Sequence, residues 1–408
     1  MPASIAQPGL VTEFQARLPA MLDELGGLVR CESPSADLAA LQRSAEAVAA
    51  LGQRLTGRAP EVIADAGPTH LRWTFGDGPR RVLLVGHHDT VWPLGSLATH
   101  PFEVTDGVMR GPGCFDMKAG LVIALHAAAA LPPGTAVTIL STADEEVGSP
   151  SSRALIEAEA AGCAAALVLE ASADGGALKT ARKGVSLYQV RAVGRAAHAG
   201  LEPERGVNAT VELAHQVLAV AGLADAARGT TVTPTALSAG TVTNTVPAAG
   251  SFAVDARMWD SAEQARVHAA MSALLPVVPD AVLEISGGPN RPPLAAASSA
   301  GLFALASAVA AELGLAPLTR ASVGGASDGN YTAGVGTPTL DGLGAVGGGA
   351  HADHEHVLVD ALPGRAALLA ALIEDLLAET PATAGPVAGN TAADENVAAS
   401  RREARRVE

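Results

Sequence analysis

The sequence predicts an α/β fold, a mixed, mostly parallel sheet with flanking helices, interrupted by an inserted α+β unit. Three observations lead there. Short, continuous apolar runs at residues 81–86 (RVLLVG), 136–140 (AVTIL) and 165–169 (AALVL) have the length of strands buried on both faces. Helix-like segments at residues 117–131 and 150–161 lie between them, and that alternation is the mark of a layered α/β architecture. Beyond Lys183, strand-like runs follow one another directly, as in a partly antiparallel sheet.

Each element has a local reason. Residues 117–131 are rich in Ala and Leu and stop at Pro132-Pro133, which cannot continue a helix. Ser149 is available to cap the helix over residues 150–161. Then come a strand at 185–193, a helix at 206–223, β-rich runs at 231–243 and 251–258, a helix at 261–274 and a strand at 281–285. The Gly- and Pro-rich residues 287–293 mark the exit from this unit. Helices resume at 296–313 and 363–377, with Pro363 suited to a first turn. The expected organisation is a catalytic domain in two parts, 1–182 and 293–379, around an inserted lid or dimerisation domain at 183–292. Residues 380–408 are Ala/Pro/Thr/Gly-rich, then charged, and read as a disordered tail.

Composition narrows the function. The chain has 408 residues, and its 27 Lys+Arg against 42 Asp+Glu give a net charge of −15. No basic face for nucleic acid or for an anionic membrane is expected from that balance. Aromatics make up only 3%, too few for base-stacking platforms. Three widely spaced cysteines, Cys31, Cys114 and Cys163, fit neither a disulfide framework nor a zinc knuckle. The first 28 residues carry acids and no basic start before an apolar run, so no signal peptide is read. The most apolar stretch, 119–131, is too short to span a bilayer. A cytoplasmic protein with a small-molecule partner is the expectation.

Five motifs carry chemistry. His87-His88-Asp89 follows the first buried strand, where ligands of parallel sheets bind, and an Asp two residues after a His can orient its ring. Asp116 follows a Gly/Pro loop at a helix start. Asp144-Glu145-Glu146 follows the second strand, three adjacent acids that repel unless cations neutralise them. Glu170 ends the third strand, and His351 sits in the loop GGGAHADHE. Two histidines with several carboxylates form an N/O donor set suited to zinc, and two metals sharing a bridging Asp fit it better than one.

These residues, HHDTV, GPGCFDMKAG, STADEEVGS, VLE and GGGAHADHE in this order, resemble the co-catalytic di-zinc hydrolases that include glutamate carboxypeptidase, acetylornithine deacetylase, succinyl-diaminopimelate desuccinylase and aminoacylase. The resemblance runs from about Leu22 to Leu377, is nearest to the glutamate carboxypeptidase branch, and includes GRAAHAG at 194–200, similar to the family's lid motif. It implies two Zn²⁺ per subunit, with Co²⁺ or Mn²⁺ as substitutes, held by His87, Asp116, Glu146, Glu170 and His351. It implies Glu145 as general base, Asp89 as the carboxylate orienting His87, and a cis peptide after Asp116. His198 would supply an oxyanion donor, in several relatives across a homodimer built through the inserted domains. Asn244, Arg257 and Arg291 match positions that hold a substrate carboxylate, although Arg257 equally suits an interdomain salt bridge. Cys114 reads as a small packed side chain. The implied activity is cleavage of an amide in a small peptide to release a C-terminal amino acid, glutamate or one similar to it; the alternative is deacylation of an N-acyl amino acid. A non-enzymatic zinc-binding scaffold is the third reading, which an intact Glu145 beside complete ligands disfavours.

Overall fold

In the computed structural model, which describes residues 9–64 and 67–378, the three apolar runs become adjacent parallel strands. Strand β3 (Val82–His87) is buried at all six positions, with β6 (Val137–Thr142) on one side and β7 (Ala165–Val168) on the other. Strands β1 (Glu61–Ile63) and β2 (His70–Phe75) extend the β6 edge antiparallel, and β14 (Thr339–Leu340) adds a parallel strand beyond β7. The sheet is therefore mixed, in the order β1-β2-β6-β3-β7-β14.

Alternation along β3 shows why both faces need helices. Val82 and Leu84 join a large core with α1 (Leu10–Arg30), α2 (Leu38–Thr56), α3 (Ala119–Ala130), α7 (Ala296–Glu312) and α9 (Leu362–Ala378). Leu83 and Val85 point the other way, into a cluster with Ile156 and Ala160 of α4 (Arg153–Ala160) and Tyr331 of α8 (Gly329–Gly334). A period of two in the strand thus feeds two helix layers.

Residues 184–291 build a second, antiparallel sheet in the order β10-β11-β9-β12, from β9 (Gly184–Val193), β10 (Thr231–Ala239), β11 (Ala249–Met258) and β12 (Val282–Arg291). Helices α5 (Ala209–Ala221) and α6 (Ser261–Ser272) cover it around a core that includes Val190, Phe252, Leu213 and Val267. Two smaller pairings complete the structure. Strand β8 (Leu178–Arg182) pairs with β13 (Arg320–Val323), while β4 (Glu103–Thr105), β5 (Val108–Arg110), β15 (Gly347–Gly348) and β16 (His356–Leu358) form a short sheet beside the Asp116 loop.

Two expectations need correction. The glycine-rich exit segment is largely strand, because β12 runs to Arg291 along β9. Gly287, at φ 91°, allows a close approach there, since a Cβ would lie 2.2 Å from the Leu187 carbonyl oxygen. The helix expected from residue 117 starts at Ala119, because Asp116 and Met117 have non-helical φ/ψ and the peptide between them is cis. The expected tail at 380–408 lies outside the described residues. Among those residues no helix is long and apolar enough to cross a membrane.

Glycines also bring α3 against the end of β7. A Cβ on Gly120 would fall 2.1 Å from the Leu169 carbonyl oxygen, and one on Gly344 2.2 Å from the same atom. Backbone on both sides leaves no flexible group to give way. Gly120→Ala is therefore expected to lower unfolding stability by about 1–3 kcal/mol, as overpacking does, measured by urea denaturation.

Candidate metal centre

His87 closes β3, and its ring is buried in the heart of the site. Its Nδ1 lies 3.2 Å from Asp89 Oδ1 and 3.0 Å from the Asp89 carbonyl oxygen, which leaves Nε2 facing the cavity. Asp89 is fully buried and does more than orient that ring. It accepts the Ser35 hydroxyl at 2.7 Å and the backbone N–H groups of Glu145 and Glu146 at 3.3 and 3.2 Å. One carboxylate thus ties the end of β3 to the loop after β6.

Around His87 Nε2 the acids converge. Asp116 Oδ1 and Glu170 Oε1 each lie 3.5 Å away. On the far side of Asp116, His351 Nε2 is 3.4 Å from Asp116 Oδ2 and 3.1 Å from Glu146 Oε2. Two donor groups result, His87–Glu145–Glu170 and His87–Asp116–Glu146, with ligand atoms within 4.8 Å of one another. His87 Nε2 and Glu146 Oε1 are buried without a hydrogen-bond partner. Buried polar atoms left unpaired amid carboxylates are costly unless a cation meets them, so the donor set fits metal binding.

The electrostatics agree. Burial pushes the His87 pKa down, yet Asp116, Asp89 and Glu170 outweigh it and hold it well above the usual imidazole range. Hydrogen bonds donated to Asp116 and Glu146 raise His351 to about 10 despite its partial burial. The surrounding carboxylates thus favour the charged form of both imidazoles. Asp116 is depressed by the two histidines against its burial. Glu145 behaves differently: burial drives its carboxyl well up, and Arg291 only partly offsets that.

Of the three adjacent acids, Asp144 turns away from the cluster. Its carboxylate accepts the N–H and hydroxyl of Ser151 and Ser152 at 2.5–3.2 Å, anchoring the approach to α4. Glu145 and Glu146 are left to face the site. Arg291, at the end of β12, reaches in from the second sheet. Its Nη2 donates to Glu145 Oε1 at 3.0 Å and to Ser149 Oγ at 2.8 Å, and lies 3.4 Å from Asp328 Oδ1. Asp328 also accepts from Thr142 Oγ1 at 3.1 Å and from Ser149 Oγ at 2.5 Å. Arg291, read from the sequence as a carboxylate binder, is here engaged with Glu145.

The other site residues expected from residues 183–292 do not join the cluster. His198 is exposed, and its Nδ1 accepts the N–H groups of Gly200 and Leu201, both at 3.1 Å. Asn244 is exposed beside it, its carbonyl taking the Ala199 N–H at 2.9 Å. Arg257 forks onto Asp255 at 2.9 and 3.0 Å and donates to the Gly324 carbonyl at 3.1 Å, which links the second sheet to the loop after β13. Cys114 is buried in the main core, and burial pushes its thiol well up.

Sequence reading missed a supporting pair. Arg182 grips Asp341 through two bonds of 2.7 and 3.1 Å, and its Nη2 stands 3.7 Å from Glu170 Oε2. No local pattern marks either residue, because they lie 159 positions apart.

Comparison with known proteins places this geometry. The profile of Peptidase family M20/M25/M40 matches residues 83–375. Carboxypeptidase G2 from Pseudomonas sp. (strain RS-16) is 32% identical over 383 residues, covering 88% of this chain and 89% of the relative. Succinyl-diaminopimelate desuccinylase from Roseobacter denitrificans is 28% identical over 342 residues, 75% of this chain and 86% of that one. In fold, the chain is similar to the M20 family metallo-carboxypeptidase Sso-CP2 from Sulfolobus solfataricus, with a TM-score of 0.69, 15% identity, and coverage of 88% and 99%. The aminopeptidase PepT from Bacillus cereus superposes with a TM-score of 0.68 at 23% identity, covering 88% and 99%. With the site's donors lying inside the matched region and a relative aligned over most of both chains, this chain belongs to peptidase family M20/M25/M40 as a metallohydrolase.

Proposed function

We propose that the protein is a two-zinc carboxypeptidase that cleaves an amide in a small peptide or N-acyl amino acid and releases a C-terminal amino acid, glutamate or one like it. The observation that carries the reading is a pair of donor groups meeting at His87, one of which includes the buried Glu145. The extent of the match to Carboxypeptidase G2 supports the carboxypeptidase reading over deacylation.

In this reading His87, Asp116, Glu146, Glu170 and His351 would hold the cations, with Asp116 shared between them, and Asp89 fixes the orientation of the His87 ring. Co²⁺ or Mn²⁺ would suit the same donors. When bound, the cations polarise the scissile carbonyl and acidify water. Glu145 accepts the proton of the attacking water at its carboxylate and returns it to the leaving nitrogen. Arg291 holds Oε1 of Glu145 and keeps that carboxyl ionised more readily than burial alone would allow. Asn244 and Arg257 are assigned to the substrate's carboxylate, and a guanidinium suits that planar partner.

His198 supplies the oxyanion donor. Its exposure and purely local hydrogen bonds favour delivery to the other subunit of a homodimer, formed through the domain at 183–292 that is inserted between 1–182 and 293–379. The exposed edge strand β10, with Leu237 at 59% exposure, offers a surface for that association. The free cysteines suit a cytoplasmic setting.

A substrate panel and two variants test this. Zinc-loaded protein is expected to release glutamate from peptidyl- and acyl-glutamates in a chelator-sensitive way, while acetylornithine and succinyl-diaminopimelate turn over poorly; the reverse preference would make it a deacylase. Glu145→Gln is expected to lower kcat by about 10²–10⁴ while zinc content stays at the wild-type level. Arg291→Met removes the charge that lowers the Glu145 pKa. The acidic limb of the kcat/KM profile, which rises as Glu145 ionises, is then expected to move to higher pH.

A further inference from the structure

Glu355 is a carboxylate with a task that its place in the sequence does not reveal. It is 3% exposed and lies four residues beyond His351, across from the loop that carries Asp116. Its Oε1 accepts the backbone N–H groups of Phe115 at 2.9 Å and of Asp116 itself at 3.0 Å. Its Oε2 accepts the Gly113 N–H at 2.9 Å and the Trp92 indole N–H at 2.7 Å. An ionised carboxylate offers about four lone-pair sites and no donor, so four N–H groups saturate it. Glu355 does not belong to either donor group at the metal centre.

The backbone of Glu355 is fixed as firmly as its side chain. Its N–H bonds the Ala352 carbonyl at 2.9 Å, inside the tight turn in which His351 adopts a positive φ of 60°. A rigid turn therefore holds His351 at one end, and at the other a carboxylate clamped to the Asp116 peptide. That link spans the gap between His351 Nε2 and Asp116 Oδ2, which stand 3.4 Å apart.

We propose that Glu355 is a positioning residue for the metal centre: by clamping residues 113–116 to the His351 turn, it sets the spacing of Asp116 and His351 and so the affinity for the cation those two share. The inference rests on the two-metal reading above. It distinguishes the two halves of the centre, because Glu170 is braced independently through Arg182 and Asp341.

The substitution Glu355→Gln tests it with little change of shape. The amide puts an NH₂ donor opposite two N–H donors whichever way it is turned, so two of the four bonds are lost. Trp92→Phe removes only one donor and leaves the other three in place. Binding of Co²⁺ and of Zn²⁺ to the full chain is measured by competition with a chromogenic chelator, alongside the Co²⁺ absorption spectrum and the melting temperature of the metal-free protein. Glu355→Gln is expected to weaken one of the two binding events by about 10–100-fold and to alter the Co²⁺ spectrum, with the other event weakened less. Trp92→Phe is expected to change affinity by less than Glu355→Gln does. Two events of wild-type affinity in Glu355→Gln, or equal weakening of both, would overturn the positioning role while the two-metal reading stands. A wild-type chain that binds fewer than two cations would overturn both.

Discussion

Negative charge crowded into low dielectric is the constraint on which this structure depends. Asp116, Glu145, Glu146 and Glu170 converge on one buried imidazole, with a second half-exposed imidazole closing the group. Like charges at such range cannot all ionise without compensation. The two histidines answer that crowding, and both are held above their usual range while Asp116 is held below its own. Cations in their place would let both imidazoles act as neutral donors.

The fold supplies this convergence by ending three parallel strands at one edge. His87 closes β3, Glu145 and Glu146 follow β6, and Glu170 follows β7. Asp89 then staples the β3 loop to the β6 loop by accepting two backbone N–H groups. Gly120 and Gly344 let backbone approach the Leu169 carbonyl, immediately before Glu170. Much of the packing around the sheet edge therefore serves to hold charged groups closer together than they would otherwise remain. Arg291 adds the contribution of the second sheet, since a residue at the end of β12 determines the environment of Glu145.

Sequence patterns reveal the centre itself because each donor has a local marker. Buried apolar runs announce strand ends, a Gly/Pro loop precedes Asp116, and a glycine run surrounds His351. Side chains whose partners are distant in the chain leave no such marker. Arg291 looks like any arginine free to meet a carboxylate, but folding brings it to Ser149, 142 positions away, and to Glu145. Glu355 reads as one more acid in a polar loop until its four N–H partners are seen. Gly287 reads as part of a break, yet it allows β12 to lie close against β9.

The central claim is that two cations share Asp116. Zinc content after exhaustive dialysis, compared between wild type, Asp116→Ala and Glu170→Ala, tests it most directly. Two zinc ions per wild-type chain, one in Glu170→Ala and loss of both tight sites in Asp116→Ala are the expected result. Two zinc ions retained by Asp116→Ala, or a single one in the wild type, would contradict it.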